Sequence, residues 1–255
     1  MNELSPALSS IGSRVAWHDA ECGAYGADLP VWERAAERCG GPILDLGAGS
    51  GRVALHLARR GHRVVAVDSD PELIEALGAR AAAQGLPVTA VNADVRSFER
   101  IASFGLIIAP MQLVHLLGGP AGRRRLLRAV AASLRGDGEF YAALLDDPLP
   151  PLGSPAPDDP APLPDVREID GWIHSSLPVE IRVDDEAIAI ERLRQLVSPE
   201  GRLTEQADVV VLDRLTPDAL ESEARACGLE PMPRLPIVET DSHVGSVIAR
   251  MRRVR

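Results

Sequence analysis

The chain contains no lysine. All 27 of its basic residues are arginines, set against 37 acids, and the formal net charge is −10. A net acidic surface attracts neither duplex nucleic acid nor an anionic membrane, so neither is expected as a partner. Cysteine is scarce: Cys22, Cys39 and Cys227 are far apart and without CxxC spacing, which argues against both a disulfide framework and a zinc site. Long apolar runs are missing as well. No stretch of about 18 apolar residues could span a bilayer, and Met1 to Pro6 has neither a basic n-region nor an apolar h-region, so a cytoplasmic location is expected. Aromatics make up only 3% of the chain, which makes Trp17 and Tyr25, close together near the start, conspicuous.

The segment Pro42 to Arg52 organises the rest. Ile43 to Leu46 reads as a buried strand, runs into glycines at positions 47, 49 and 51, and leads into an amphipathic helix. Glycines let backbone turn tightly and approach a ligand closely, and the following helix offers unpaired N–H groups. The spacing is GxGxG, not the GxGxxG of dinucleotide sites, and no GK[ST] follows to make a nucleoside-triphosphate loop. Asp45 would repel a pyrophosphate but suits a cationic ligand.

Downstream, short apolar strands alternate with helices. A helix over Arg52 to Arg60 precedes a strand at Val64 to Val67, and Asp70-Pro71 caps a helix ending near Gly85. Strands follow at Val88 to Val91 and Phe104 to Ala109, then a helix around Ala121 to Leu134 and a strand at Glu139 to Leu144. This alternation predicts an α/β fold with a mostly parallel, doubly wound sheet. Its ligands belong outside the carboxyl ends of the strands, where Asp45, Asp68, Asp94 and Ala109 to Gln112 fall. Residues 1–41 read as an N-terminal segment with a helix from Pro30 to Cys39. Residues 42–146 form the cofactor-binding core. Residues 147–215 make a β-rich insertion that begins with eight prolines between Pro148 and Pro164, and residues 216–255 complete the core with a helix and a strand pair.

The residues from Asp45 to Gly51, Asp-Leu-Gly-Ala-Gly-Ser-Gly, resemble the glycine motif of the class I S-adenosylmethionine-dependent methyltransferases. The resemblance implies a Rossmann-like seven-stranded sheet with an antiparallel terminal strand, and S-adenosylmethionine as cofactor. It assigns Asp68, followed by Ser69, to the ribose hydroxyls, since two carboxylate oxygens can accept from both. It assigns Asp94 to the adenine amino group, with the Val95 backbone beside the ring. Gly47, Ala48, Gly49 and Ala109 would line the cofactor, Tyr25 would cover its methionine end, and Arg52 would meet its carboxylate.

Ala109-Pro110-Met111-Gln112 lacks the [DN]PPY motif of amide and adenine methyltransferases, a Pro-Cys nucleophile, and the fourth-strand carboxylate of metal-dependent enzymes; Asp146 and Asp147 could supply only the fifth-strand ligand. What remains resembles the small-molecule branch, methylating an oxygen or nitrogen without a metal. His115 is the first candidate for a general base and His18 the second. Arg123 to Arg125 reads as the wet face of a helix. The insertion is expected to cover the substrate or to form the contact of a homodimer. Two other readings stay open: a non-catalytic protein that binds S-adenosylmethionine, and, disfavoured by the loop spacing, a nicotinamide-dependent oxidoreductase.

Overall fold

A computed structural model describes residues 13–145, 163–239 and 245–254. The sheet at its centre begins with β1 (Ile43–Leu46), in which every residue is buried, as a strand covered on both faces requires. Parallel to it run β2 (Val64–Asp68), β3 (Val88–Asn92), β4 (Phe104–Ala109) and β5 (Leu134–Leu145). Two late strands, β10 (Leu229–Ile237) and β11 (Ser246–Arg253), complete the order β10-β11-β5-β4-β1-β2-β3, with β11 antiparallel to both of its neighbours. The fold class expected from the alternation is the one observed. The order reverses between β1 and β4, so the loops leaving these two strands diverge and open a crevice at the carboxyl edge.

Side chains alternate between two apolar layers. Leu44, Leu46, Phe104 and Phe140 pack beneath α5 (Gly119–Ser133) and α6 (Pro217–Arg225). Ile43, Leu106, Ile108 and Tyr141 pack on the opposite face, beneath α2 (Leu29–Cys39) and α3 (Arg52–Arg59). Asp45 shares the parity of Ile43, so strand geometry alone sends its carboxyl group into the second layer. The helix α4 (Pro71–Ala83) starts as expected: the Asp70 side chain accepts from the N–H groups of Glu72 and Leu73, and Pro71 opens the first turn.

The insertion forms a separate antiparallel sheet of β6 (Asp165–Ile169), β7 (Trp172–Val183), β8 (Ala187–Val197) and β9 (Leu203–Asp213), in that order. The Ser198 to Gly201 turn closes β8 and β9 with a 2.8 Å bond from Gly201 N–H to the Ser198 carbonyl. Two elements lie outside the sequence-based expectation. Strand β6 directly follows the proline-rich run, and α1 (Arg14–Cys22) lies in a segment without clear periodicity. Both are held by side-chain contacts between α1 and the insertion, which local sequence does not display.

Arg123 departs from the expected wet face. It is 5% exposed and paired with Asp213 and Glu223, tying α5 to the end of β9 and to α6, whereas Arg124 and Arg125 are exposed. Among the described residues, no helix is long and apolar enough to cross a membrane. The expectations at Asp146 and Asp147, and most of the proline-rich run, lie outside the described residues.

Candidate functional site

Gly47, Gly49 and Gly51 all have positive φ, 65°, 54° and 102°, in the region that disfavours side chains. A side chain there would also displace its neighbours: a Cβ on Gly47 would meet the end of Leu113 at 2.8 Å, and one on Gly49 would meet His18 Nε2 at 2.2 Å. The loop is tied to β2 at two points. Ala48 N–H donates to the Val67 carbonyl at 3.0 Å, and Gly49 N–H to Asp68 Oδ2 at 2.9 Å. A cradle of backbone therefore stands over the crevice.

Asp45 is fully buried, and neither carboxylate oxygen has a hydrogen-bond partner; the backbone N–H of Ala54 contributes only weakly, short of hydrogen-bond geometry. Burial pushes its pKa up to about 8, against the opposing charge of Arg52 and with the added repulsion of Asp68 and Asp28. An orphaned buried carboxylate beside a glycine cradle matches a ligand that brings a cation.

Asp68 is half-buried, and each oxygen takes one backbone donor, Gly49 N–H on one side and Asp70 N–H on the other. Lone pairs remain for two further donors such as vicinal hydroxyls. Asp94 is 38% exposed at the side chain and chelated by Arg96, and the hydrogen bonds from Arg96 hold its pKa low. Val95 is buried, Ser69 is exposed at the rim, and Ala109 is fully buried at the end of β4.

The N-terminal segment closes the other side. Arg52 donates to both oxygens of Asp28 at 2.6 and 2.7 Å and to the Tyr25 carbonyl at 2.8 Å, with its guanidinium over the Tyr25 ring. Asp28 also accepts from Trp32 Nε1. Arg52 is thus committed to a buried clamp rather than pointing outward for a ligand carboxylate, and Tyr25 is 8% exposed beneath it.

His115 does not serve as a free base. Its Nδ1 lies 2.8 Å from the Asp213 carbonyl, which can only accept, so the ring donates there; Nε2 then accepts the Leu145 N–H at 3.4 Å. It is 1% exposed, and burial lowers its pKa, with Arg123 acting in the same direction. Both ring nitrogens are spent on fixing the insertion to the core.

Helix α1 bridges the two sheets. Toward the cradle, His18 Nδ1 lies 3.0 Å from Ser50 Oγ, Ser50 donates to Asp19, and Arg80 pairs with Asp19. Toward the insertion, Glu21 accepts from Arg194 and Ser176, and Trp17 meets His174 edge-on under the Arg194 guanidinium. Ser50 lies within the glycine motif, but Asp19, Glu21, Asp28, Arg80 and Arg194 had no motif to mark them. For Asp19, Glu21 and Asp28 the only signal was polar residues crowded near Trp17 in an aromatic-poor chain, and Arg80 and Arg194 had none.

Among the described residues, three cavities border His18, one of them, of about 550 Å³, lined by Asp19, Tyr25, Ser50, Arg52 and Arg80 as well. Another, of about 40 Å³, is lined by His18, Asp45, Gly47, Pro110 and Met111. The third, about 400 Å³, lies between α1, the start of α4 and the insertion, and includes Trp17, Glu21, Asp70, Arg194 and Asp208.

Residues 43–138 match a family model described as a methyltransferase domain. An uncharacterized methyltransferase, YodH, of Bacillus subtilis is 29% identical over 128 residues, covering 46% of this chain and 54% of the relative. A ubiquinone biosynthesis O-methyltransferase of Methylobacterium sp. is 31% identical over 132 residues, covering 50% of this chain and 49% of the relative. The chain thus spans about half the length of the curated relatives it matches. Among solved structures, the sugar N-methyltransferase KedS8 from Streptoalloteichus has a TM-score of 0.72 at 19% identity, covering 100% of this chain and 98% of that one. CalS10 from Micromonospora echinaspora, an amino pentose methyltransferase, has 0.68 at 18%, covering 96% and 99%. These likenesses extend over the insertion, so the two-sheet arrangement as a whole is shared.

Proposed function

We propose that this chain, which resembles the class I S-adenosylmethionine-dependent methyltransferases of small-molecule type, methylates an oxygen or nitrogen of a small acceptor without a metal. The observation that carries this reading is Asp45, a fully buried carboxyl group without a hydrogen-bond partner beside the glycine cradle. The methionine ammonium of the cofactor would supply the missing charge. Asp68 would accept from the ribose hydroxyls, with Ser69 at the rim. Asp94 and the Val95 backbone would hold the adenine, and Gly47 to Gly49 and Ala109 would line the cofactor between its two ends. Tyr25 would cover the methionine end; Arg52 would act indirectly, by holding Tyr25 and Asp28 in place.

When bound, the cofactor supplies a methyl group on a sulfonium already activated for displacement. The protein's part is to bind, align and exclude water. Helix α1 and the insertion are suited to this, because their shared cavity borders the cradle at His18. KedS8 is described as a sugar N-methyltransferase, CalS10 as an amino pentose methyltransferase and the Methylobacterium relatives as O-methyltransferases, which supports both acceptor types.

The test has two parts. Calorimetry should show binding of S-adenosylhomocysteine and none of NAD. Radiolabelled methyl transfer should then be measured against nucleotide-linked amino sugars, aliphatic amines, phenols and sugar alcohols. Absence of S-adenosylhomocysteine binding would end the proposal. Binding with no transfer to any member of that panel would point to the non-catalytic role.

A further inference from the structure

Ser50 belongs to the glycine loop, yet its hydroxyl faces outward to α1. It lies 2.5 Å from Asp19 Oδ1 and 3.0 Å from His18 Nδ1. Burial resists ionisation of Asp19, but hydrogen bonds from Arg80 and Ser50 and the charges of Arg80 and Arg167 outweigh it, so the group titrates below the usual range. An ionised carboxylate only accepts, so the single hydroxyl proton of Ser50 goes to Asp19, and Ser50 Oγ is left to accept from His18 Nδ1–H. Donor and acceptor roles are therefore forced along the chain Asp19, Ser50, His18. The imidazole carries its proton on Nδ1 and its lone pair on Nε2.

That second edge of the ring packs against Gly49, and the ring lines both the cavity shared with Asp45, Gly47, Pro110 and Met111 and the larger one beneath the insertion. His18 thus stands where the cofactor cradle meets the space open to an acceptor. We infer that His18 Nε2 receives the proton an acceptor hydroxyl or amine loses on methylation, and that Ser50 and Asp19 are positioning residues that hold the imidazole in this tautomer and stabilise its protonated form. The inference rests on the methyl-transfer reading above. In the step, the acceptor heteroatom bonds to the methyl carbon, the carbon–sulfur bond breaks with its electron pair staying on sulfur, and the acceptor proton passes to Nε2. The positive charge that leaves the sulfonium reappears on the imidazolium, next to Ser50 and Asp19.

The groups facing His18 are Asp19, Glu21 and Cys22 on its own helix, Asp45, Asp68 and Arg52 from the core, Arg80 behind Asp19, Arg14, Asp70, Arg194 and Asp208 around the cavity beneath the insertion, and His56, Arg59 and Arg167 around the cavity beside Tyr25. Burial lowers the pKa of His18 and Arg52 adds to this, while Asp19, Asp68 and Glu21 pull the other way; the net shift is downward. The ring is therefore unprotonated, and able to accept, at neutral pH.

Long-range ¹H–¹⁵N NMR on the labelled full chain, free and saturated with S-adenosylhomocysteine, reads the tautomer directly. His18 should be the Nδ1–H form and should gain Nε2–H character in Ser50→Ala. His18→Asn keeps a donor near the place of Nδ1 but has no lone pair at Nε2. It should bind S-adenosylhomocysteine within about threefold of wild type; with the acceptor probe found above, it should lose about 100-fold or more in kcat together with the acid limb of the pH profile. An Nε2–H tautomer in the wild type, a loss of S-adenosylhomocysteine affinity beyond threefold in His18→Asn, or an acid limb that survives the substitution would overturn the inference. The first two readouts need no acceptor. Failure of the wild type to bind S-adenosylhomocysteine is a separate result, which removes the underlying reading instead.

Discussion

Arg52 and Asp28 face each other through two parallel N–H···O contacts of 2.6 and 2.7 Å, with side chains only 10% and 1% exposed. Arg52 opens the helix after the glycine loop, and Asp28 sits immediately before α2, so the pair joins the cradle to the N-terminal segment. Removing one partner of a buried, bidentate pair leaves the other charge unmatched in a low-dielectric setting. Asp28→Ala should therefore cost about 3–5 kcal/mol in urea unfolding. A loss below about 1 kcal/mol would show that water reaches the pair.

Asp45 links pH to both stability and binding. Its pKa is raised to about 8 in the fold, far above that of an unfolded aspartate. The folded state therefore holds a proton that the unfolded state has already lost, and stability falls as pH rises from about 4 toward 8. Asp45→Asn should flatten that slope. A bound ammonium favours the ionised carboxyl group, so cofactor binding at pH 7 should release a proton, and affinity should rise as pH approaches 8. Calorimetry in two buffers of different ionisation enthalpy measures the released proton, and Asp45→Asn should abolish it.

Asp68 orders the cradle and is expected to hold the ribose. Hydrogen bonds to charged groups are worth about 1.5–3 kcal/mol each. Loss of two hydroxyl contacts in Asp68→Ala should weaken S-adenosylhomocysteine binding by about 100-fold or more, read by calorimetry. S-adenosylhomocysteine and its 2′-deoxy analogue should then bind the variant with similar affinity, whereas the wild type should discriminate between them.

His115→Gln should leave the pH dependence of methyl transfer unchanged, because neither ring nitrogen faces the cradle. Its cost should fall on the fold instead: the Asp213 carbonyl and Leu145 N–H lose well-placed partners, a penalty of about 1–3 kcal/mol. Thermal unfolding measures that loss, and a shifted pH profile at full stability would return His115 to the chemistry.

The strands and helices from Ile43 to Leu144 were legible, apart from the start of β5 at Leu134 rather than Glu139, because they rest on local causes: apolar runs, an Asp-Pro helix start, and glycines that tolerate positive φ. The three acids were legible for a related reason. Parallel strands end at one edge of the sheet, and Asp45, Asp68 and Asp94 lie within two residues of the ends of β1, β2 and β3; that they hold a cofactor belongs to the proposal. That Asp45 faces inward also follows from strand alternation, but that it lies fully buried without a partner does not.

The readings at Arg52, His115 and Arg123 differed from the structure for one shared reason. A side chain's partner can lie anywhere in the chain, and here Asp28, Asp213 and Glu223 are 24, 98 and 100 residues away. No periodicity encodes such a pairing. Helix α1 is the extreme case, since it sits between cradle and insertion through His18, Asp19 and Glu21 and gains its definition from both. Sequence alone thus determined the sheet, the glycine loop and the class of molecule it suits, all set by backbone conformation and strand direction. Tertiary structure decided which polar side chains remain open to a ligand and which are spent on one another, because only long-range packing brings their partners within hydrogen-bond reach.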